Sequence, residues 1–127
     1  MKPHRHSLFK AFGYAITGIW TAVRTERNMK IHIAAALIVF IAAALLQLER
    51  MDWLFLLLAV ALVLITELVN TSVEAVIDFI SLEEHPLARV AKDTAAGAAL
   101  VAAVFAIIVG LIVFGKPVYG WIHAWIN

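Results

Sequence analysis

The 127-residue chain has no cysteine, which excludes a disulfide framework, a thiolate metal site and a catalytic thiol. It is also poor in charge. Asp, Glu, Lys and Arg make up 15% of it, and the formal net charge is +1. A balance this close to neutral offers no argument for nucleic acid, and no such partner is expected. What the chain has in excess is apolar surface. Hydrophobic residues are 64% of the total, whereas a soluble domain is about half apolar. The length suits a single small domain over residues 1–127.

The scarce charges leave three long gaps. Ile31 to Leu48 holds one ionisable group, His32; Trp53 to Thr66 is uncharged and continues with helical spacing through Asp78; Thr94 to Phe114 is uncharged. Crossing the hydrocarbon core of a bilayer takes about 20 residues. The expectation is an all-α membrane protein with three transmembrane helices, contained in helices over 31–48, 53–80 and 92–115. A cleaved signal peptide is not expected, because the first apolar run begins only at Ile31 and is longer than a signal core.

Ahead of the spans, residues 1–6 read as a tail in which His4 and His6 are solvated rather than metal-bound. Residues 7–24 read as an amphipathic surface helix. Phe9, Phe12, Ile16, Ile19, Trp20 and Val23 recur at spacings of three and four, with Lys10, Thr17 and Arg24 off that face, a pattern suited to the headgroup layer. Lys2, Arg5, Lys10, Arg24, Arg27 and Lys30 precede the first span, and Arg89 and Lys92 lie between the second and third. Only Arg50 and Lys116 fall on the other side. The positive-inside rule then puts the N-terminus and the second link in the cytoplasm. Glu49 to Asp52 becomes an external turn and residues 118–127 an external aromatic tail carrying Tyr119, Trp121 and Trp125.

The few charges that do enter apolar sequence are concentrated. At about 100° per residue, Glu67, Asn70, Glu74 and Asp78 share a stripe about 80° wide and about 16 Å long on one helix face. A charge at the bilayer centre costs roughly 3 kcal/mol on insertion scales, so such a stripe is expected to face protein, metal ions or water. Glu26, in the polar knot Arg24 to His32, and Lys92-Asp93, opening the third span, fall at the same membrane face. Small residues at intervals of four (Ala98, Ala102, Ala106 and Gly110) favour close helix approach and carry no chemistry. Gly110 to Pro117 nearly matches the phosphate-loop pattern G-x-x-x-x-G-K-S/T. However, Pro117 replaces the hydroxyl residue and no strand precedes it, so the match is set aside.

The residues alone leave three readings of the stripe open. Carboxylates hold Mg²⁺ together with phosphates, a lysine offsets phosphate charge and a further carboxylate accepts a hydroxyl proton, which together would serve phosphoryl transfer. The same groups suit a cation or proton path, or a structural subunit whose polar stripe pairs with partners.

Glu67-Leu68-Val69-Asn70-Thr71-Ser72-Val73-Glu74-Ala75-Val76-Ile77-Asp78 resembles the signature E-x-x-N-S/T-S/A-x-E-x-x-V/I-D of the prokaryotic diacylglycerol kinase and undecaprenol kinase family. The resemblance extends to Lys10-Ala11-Phe12-Gly13-Tyr14-Ala15, to Glu26-Arg27-Asn28-Met29-Lys30-Ile31-His32 and to Ala91-Lys92-Asp93, and covers roughly residues 8 to 115. It implies an ATP- and Mg²⁺-dependent membrane kinase acting on a lipid alcohol in the bacterial inner membrane, with its site on the cytoplasmic side. It also implies a homotrimer with sites shared between subunits. By position, Glu67 would be the general base, with Asn70 holding it and the phosphates in register. Glu26 and Glu74 would hold the magnesium. Nucleotide would be met by Tyr14, Glu26, Glu74, Lys92 and Asp93, with Glu83, Glu84 and His85 from the link. The lipid would lie against Lys10, Asn28, Lys30, His32 and Glu67. Ser7 departs from one branch, which has arginine there, with Arg5 nearby in this chain. The Asn28–His32 and His85–Ala88 segments are more similar to the undecaprenol branch than to the diacylglycerol branch.

Overall fold

A computed structural model describes residues 7–80 and 83–127 of the chain as four helices: α1 (Leu8–Thr25), α2 (Arg27–Leu45), α3 (Arg50–Ile80) and α4 (Pro86–Ile126). No strand occurs among the described residues, and α2, α3 and α4 are each long and apolar enough to cross a membrane. The readings of His4, His6 and Arg5 fall outside the described residues.

α1 is the expected surface helix, shifted by one residue because Ser7 caps it; the serine Oγ accepts from the Lys10 amide. Its threonine hydroxyls turn inward along the helix, Thr17 to the Gly13 carbonyl and Thr21 to that of Thr17. Only Ala22 of α1 is buried. Phe9, Phe12, Ile16 and Trp20 remain exposed, the apolar face that a headgroup layer would cover. Extended backbone at Glu26 (φ −93°, ψ 119°) breaks the chain between α1 and α2. That residue therefore sits at the corner where surface helix turns into span.

α2 starts at Arg27 rather than Ile31, since nothing in Arg27–Lys30 opposes helix. It also stops at Leu45, short of Leu48. Gln47 adopts a left-handed φ of 53°; its amide donates to the Ala44 carbonyl at 3.2 Å and the Leu48 amide to that of Ala43 at 3.1 Å. This pair of bonds is a Schellman closure, and the Leu48 side chain completes it by packing on the core that contains Ala43. α3 then begins at Arg50 rather than Trp53.

In α3 the buried residues are Leu56, Ala59, Val63, Glu67 and Asn70. The alternation of three and four places them on one seam. The packed face of the span and the polar stripe are thus one continuous line. α4 forms an antiparallel hairpin with α3. The core gathers Ala43, Leu56, Ala59, Val109 and Val113, flanked by Phe105 and Phe114, with Phe40 stacked on Trp53 at 5.8 Å. All of this lies toward the end opposite the stripe.

α4 is longer at both ends than the helix expected over 92–115. Its N-terminus is set by Pro86 in the first turn, with His85 Nδ1 accepting from the Leu87 amide at 3.1 Å. Proline is well placed there because that amide would have no helical partner. At the other end the helix passes through Pro117 to Ile126, so the residues read as a tail are helical. A proline removes one backbone donor but keeps a helical φ. Val113 and Phe114 pack at the level of Leu48 and Trp53, so the last ten residues extend past the α2–α3 turn. The near-match to a phosphate loop lies wholly within this helix.

Candidate active site

Glu67 and Asn70 are the buried polar residues among those described, at 3% and 8% exposure. They are held there because the seam below them is the packed face of α3. Neighbouring hydroxyls do not compete for their side chains: Thr66 donates to the Leu62 carbonyl and Thr71 to that of Glu67. Across from Glu67, α2 brings His32, whose Nε2 lies 4.0 Å from Glu67 Oε2. One turn further along α3, Asn70 Nδ2 donates to Glu74 Oε1 at 3.3 Å. Asn70 Oδ1 is buried and has no hydrogen-bond partner, an unusual condition for a buried acceptor.

An apolar groove of about 350 Å³ opens beside this cluster. His32 stands at its polar end; Ala35, Val39, Ala59, Val63 and Ala106 line it, and it reaches Gly110. On α3 the lining runs from Leu56 to Leu64, about 12 Å along the helix. On α3 the groove stops at Leu64, short of Glu67, and His32 is the lining residue that stands beside the buried carboxylate.

A second cleft, of about 580 Å³, lies where α3 ends and α4 begins. Ile77, Asp78, Glu83, Glu84, His85, Arg89, Lys92 and Asp93 line it. Lys92 donates a hydrogen bond to Asp78 Oδ1 across the two helices, and Arg89 Nε lies 3.7 Å from Asp93 Oδ2.

The expected site residues therefore fall into groups. Glu67, Asn70, Glu74 and His32 come together at the seam. Glu83, Glu84, His85, Lys92 and Asp93 come together at the second cleft. Glu26 stands at the α1–α2 corner, where its carboxylate accepts from the Thr25 hydroxyl at 3.3 Å. Lys10, Tyr14, Asn28 and Lys30 are exposed on α1 and at the start of α2. Among the described residues, no three His, Asp or Glu side chains converge as a ready-made metal site. Two charged residues outside the expected set line the second cleft, Asp78 and Arg89. Their signal was periodicity: Asp78 continues the stripe, and Arg89 precedes Lys92 and Asp93 by three and four positions.

Comparison with known proteins places these features in a lineage. The family model described as prokaryotic diacylglycerol kinase matches residues 13–114. The chain is 44% identical over 116 residues to an undecaprenol kinase of Bacillus subtilis, covering 89% of this chain and 94% of that protein. It is 45% identical over 105 residues to a diacylglycerol kinase of Synechocystis, covering 82% of this chain and 60% of that longer protein. With a diacylglycerol kinase of Escherichia coli K12 it shares 34% identity over 101 residues, covering 80% of this chain and 83% of the relative.

Proposed function

From the premise that the chain belongs to the prokaryotic diacylglycerol kinase family, we propose that it transfers the γ-phosphate of ATP to the primary hydroxyl of a membrane lipid alcohol, with undecaprenol the preferred acceptor. The cation-path and structural readings of the stripe give way to this one, because the relatives are named as lipid kinases. One observation carries it. Glu67, at 3% exposure, lies 4.0 Å from His32, which lines the polar end of the apolar groove, and follows the groove's last α3 residue, Leu64, by about one turn. A lipid whose chain entered that groove would present its hydroxyl to a carboxylate shielded from water.

Glu67 takes the proton of the alcohol as its oxygen forms a bond to the γ-phosphorus. The bond from that phosphorus to the β,γ-bridging oxygen breaks, and ADP leaves. Such transfer depends on positioning and charge stabilisation more than on covalent chemistry. No phosphoenzyme is required. Asn70 fixes Glu74 through its hydrogen bond, and His32 bounds the acceptor side of Glu67. Lys92, at the second cleft, offsets phosphate charge. Asp93, Glu83, Glu84 and His85 surround the nucleotide there, with Tyr14 reaching it from α1. Lys10, Asn28 and Lys30 meet the lipid at the surface.

The residues fit Mg²⁺. That ion is commonly held by one or two carboxylates, with phosphates and water completing its shell, so the absence of a three-residue protein cluster is no obstacle. Glu26 and Glu74 supply hard oxygens, and the unpartnered Asn70 Oδ1 is a further oxygen in need of a donor or cation. When bound, the ion would neutralise charge on the phosphates.

A homotrimer with shared sites, in the inner membrane with the site toward the cytoplasm, completes the proposal. The diacylglycerol alternative is kept by relatives that carry that name. Labelled ATP offered with undecaprenol or diacylglycerol in separate mixed micelles tests the reading. Magnesium-dependent labelling of undecaprenol over diacylglycerol is expected. The reverse preference would overturn the choice of lipid, and labelling of neither would overturn the activity.

A further inference from the structure

The cleft between α3 and α4 presents both its cations already paired. Lys92 is held by Asp78 across the helix junction, and Arg89 lies beside Asp93. Four carboxylates, Asp78, Glu83, Glu84 and Asp93, line the cleft against those two cations. A polyphosphate entering it meets an excess of negative charge. It must also take Lys92 from a carboxylate that already holds it.

That carboxylate is placed to be displaced. The Asp78 side chain is 65% exposed and that of Lys92 38%, and pairs so open to water contribute little to stability. So weak a link adds little to the α3–α4 hairpin, which the seam of Leu56, Ala59, Val109 and Val113 already holds. Asp78 also sits one turn beyond Glu74 on the stripe, so Lys92 is drawn toward the end of the helix that carries the proposed metal ligand. The pair therefore makes more sense as a setting of Lys92 than as a fastening of the fold.

We propose that Asp78 is a positioning residue that makes the cleft selective for metal-complexed nucleotide. It withholds Lys92 from metal-free polyphosphate and yields it to the magnesium complex, whose charge is partly neutralised. Because carboxylates outnumber cations in the cleft, each unneutralised phosphate charge is repelled more than it is attracted. The metal-free form bears the larger penalty. This inference rests on the reading that the cleft takes nucleotide.

The test is direct binding of ATP to the full-length protein in detergent micelles, by calorimetry, once with magnesium and once with EDTA. Asp78→Asn keeps the shape and removes the charge. It should tighten binding in EDTA about fivefold, the equivalent of about 1 kcal/mol, and change binding with magnesium less than twofold. Asp78→Glu should restore the wild-type ratio of the two affinities. A merely structural role would weaken both affinities together and leave their ratio unchanged, and that outcome overturns the proposal. An unchanged ratio in a variant with wild-type melting overturns it as well. Wild-type protein that binds ATP under neither condition would instead overturn the nucleotide reading on which it rests.

Discussion

His32 Nε2 on α2 stands 4.0 Å from Glu67 Oε2 on α3, and the same histidine lines the polar end of the apolar groove. The distance is too long for a hydrogen bond and short enough for the ring to wall one side of the carboxylate. His32→Ala is therefore expected to reduce turnover on the order of 10-fold and raise the KM for lipid, since misplacing a reacting group by an ångström is costly. In a Glu67→Gln background the same change should cost nothing further. A double-mutant cycle on labelled phosphate transfer checks this; additive losses would mean the two residues act separately.

Asn70 bridges to Glu74 while its own carbonyl oxygen is left over. Groups that orient a metal-binding carboxylate typically change metal affinity 10- to 100-fold when removed. Asn70→Ala should raise the magnesium concentration at half-maximal turnover by about 10-fold or more. A Glu74→Gln change should raise it further. Magnesium titration at saturating ATP makes the measurement, and an unchanged midpoint in either variant would remove that residue from the metal site.

The left-handed φ of 53° at Gln47 closes α2 with a side chain where glycine is preferred. That conformation costs about 1 kcal/mol for a residue with a Cβ, partly offset by the freedom glycine adds to the unfolded chain. Gln47→Gly should stabilise the protein by about 0.5 kcal/mol. The change should appear as a small rise in melting temperature in detergent, with turnover unaltered. A fall would show that the Gln47 side chain makes contacts of its own.

Past Phe114, α4 leaves the core: Tyr119 is 70% exposed, Trp121 61% and Trp125 77%. Deleting residues 118–127 should keep turnover within about twofold, because truncating groups that touch neither core nor site falls in the class of near-neutral changes. A large loss of turnover in micelles would mean that this overhang helps to form the site.

Much of this architecture was legible in the residues themselves. The uncharged runs marked the spans, and Glu67, Asn70 and Glu74 revealed one helix face because periodicity is a local property. The seam Leu56, Ala59, Val63, Glu67 and Asn70 obeys the same rule. The end of α2 was not legible, since Leu46 and Leu48 prolong the apolar run while the backbone has already turned at Gln47. Nor was the passage of α4 through Pro117, where losing one donor proved insufficient to stop a helix. The pairing of Asp78 with Lys92 depends on how α3 and α4 meet across the link, and no spacing rule within one helix reports that. Glu26 stood out in the polar knot before the first span, and only its role came from resemblance; the sharp corner that places it between surface helix and span emerged only from the backbone.

The most direct measurement is undecaprenol labelling by wild-type protein and by Glu67→Gln, with ATP binding measured on both. Loss of a positioned base typically costs about 10²- to 10⁴-fold in rate. The expected result is a fall of at least that lower order, with ATP affinity within about twofold, because Glu67 acts on the lipid hydroxyl and not on nucleotide. Full turnover by Glu67→Gln would contradict the assignment of the proton acceptor, and with it the role given to the polar end of the groove.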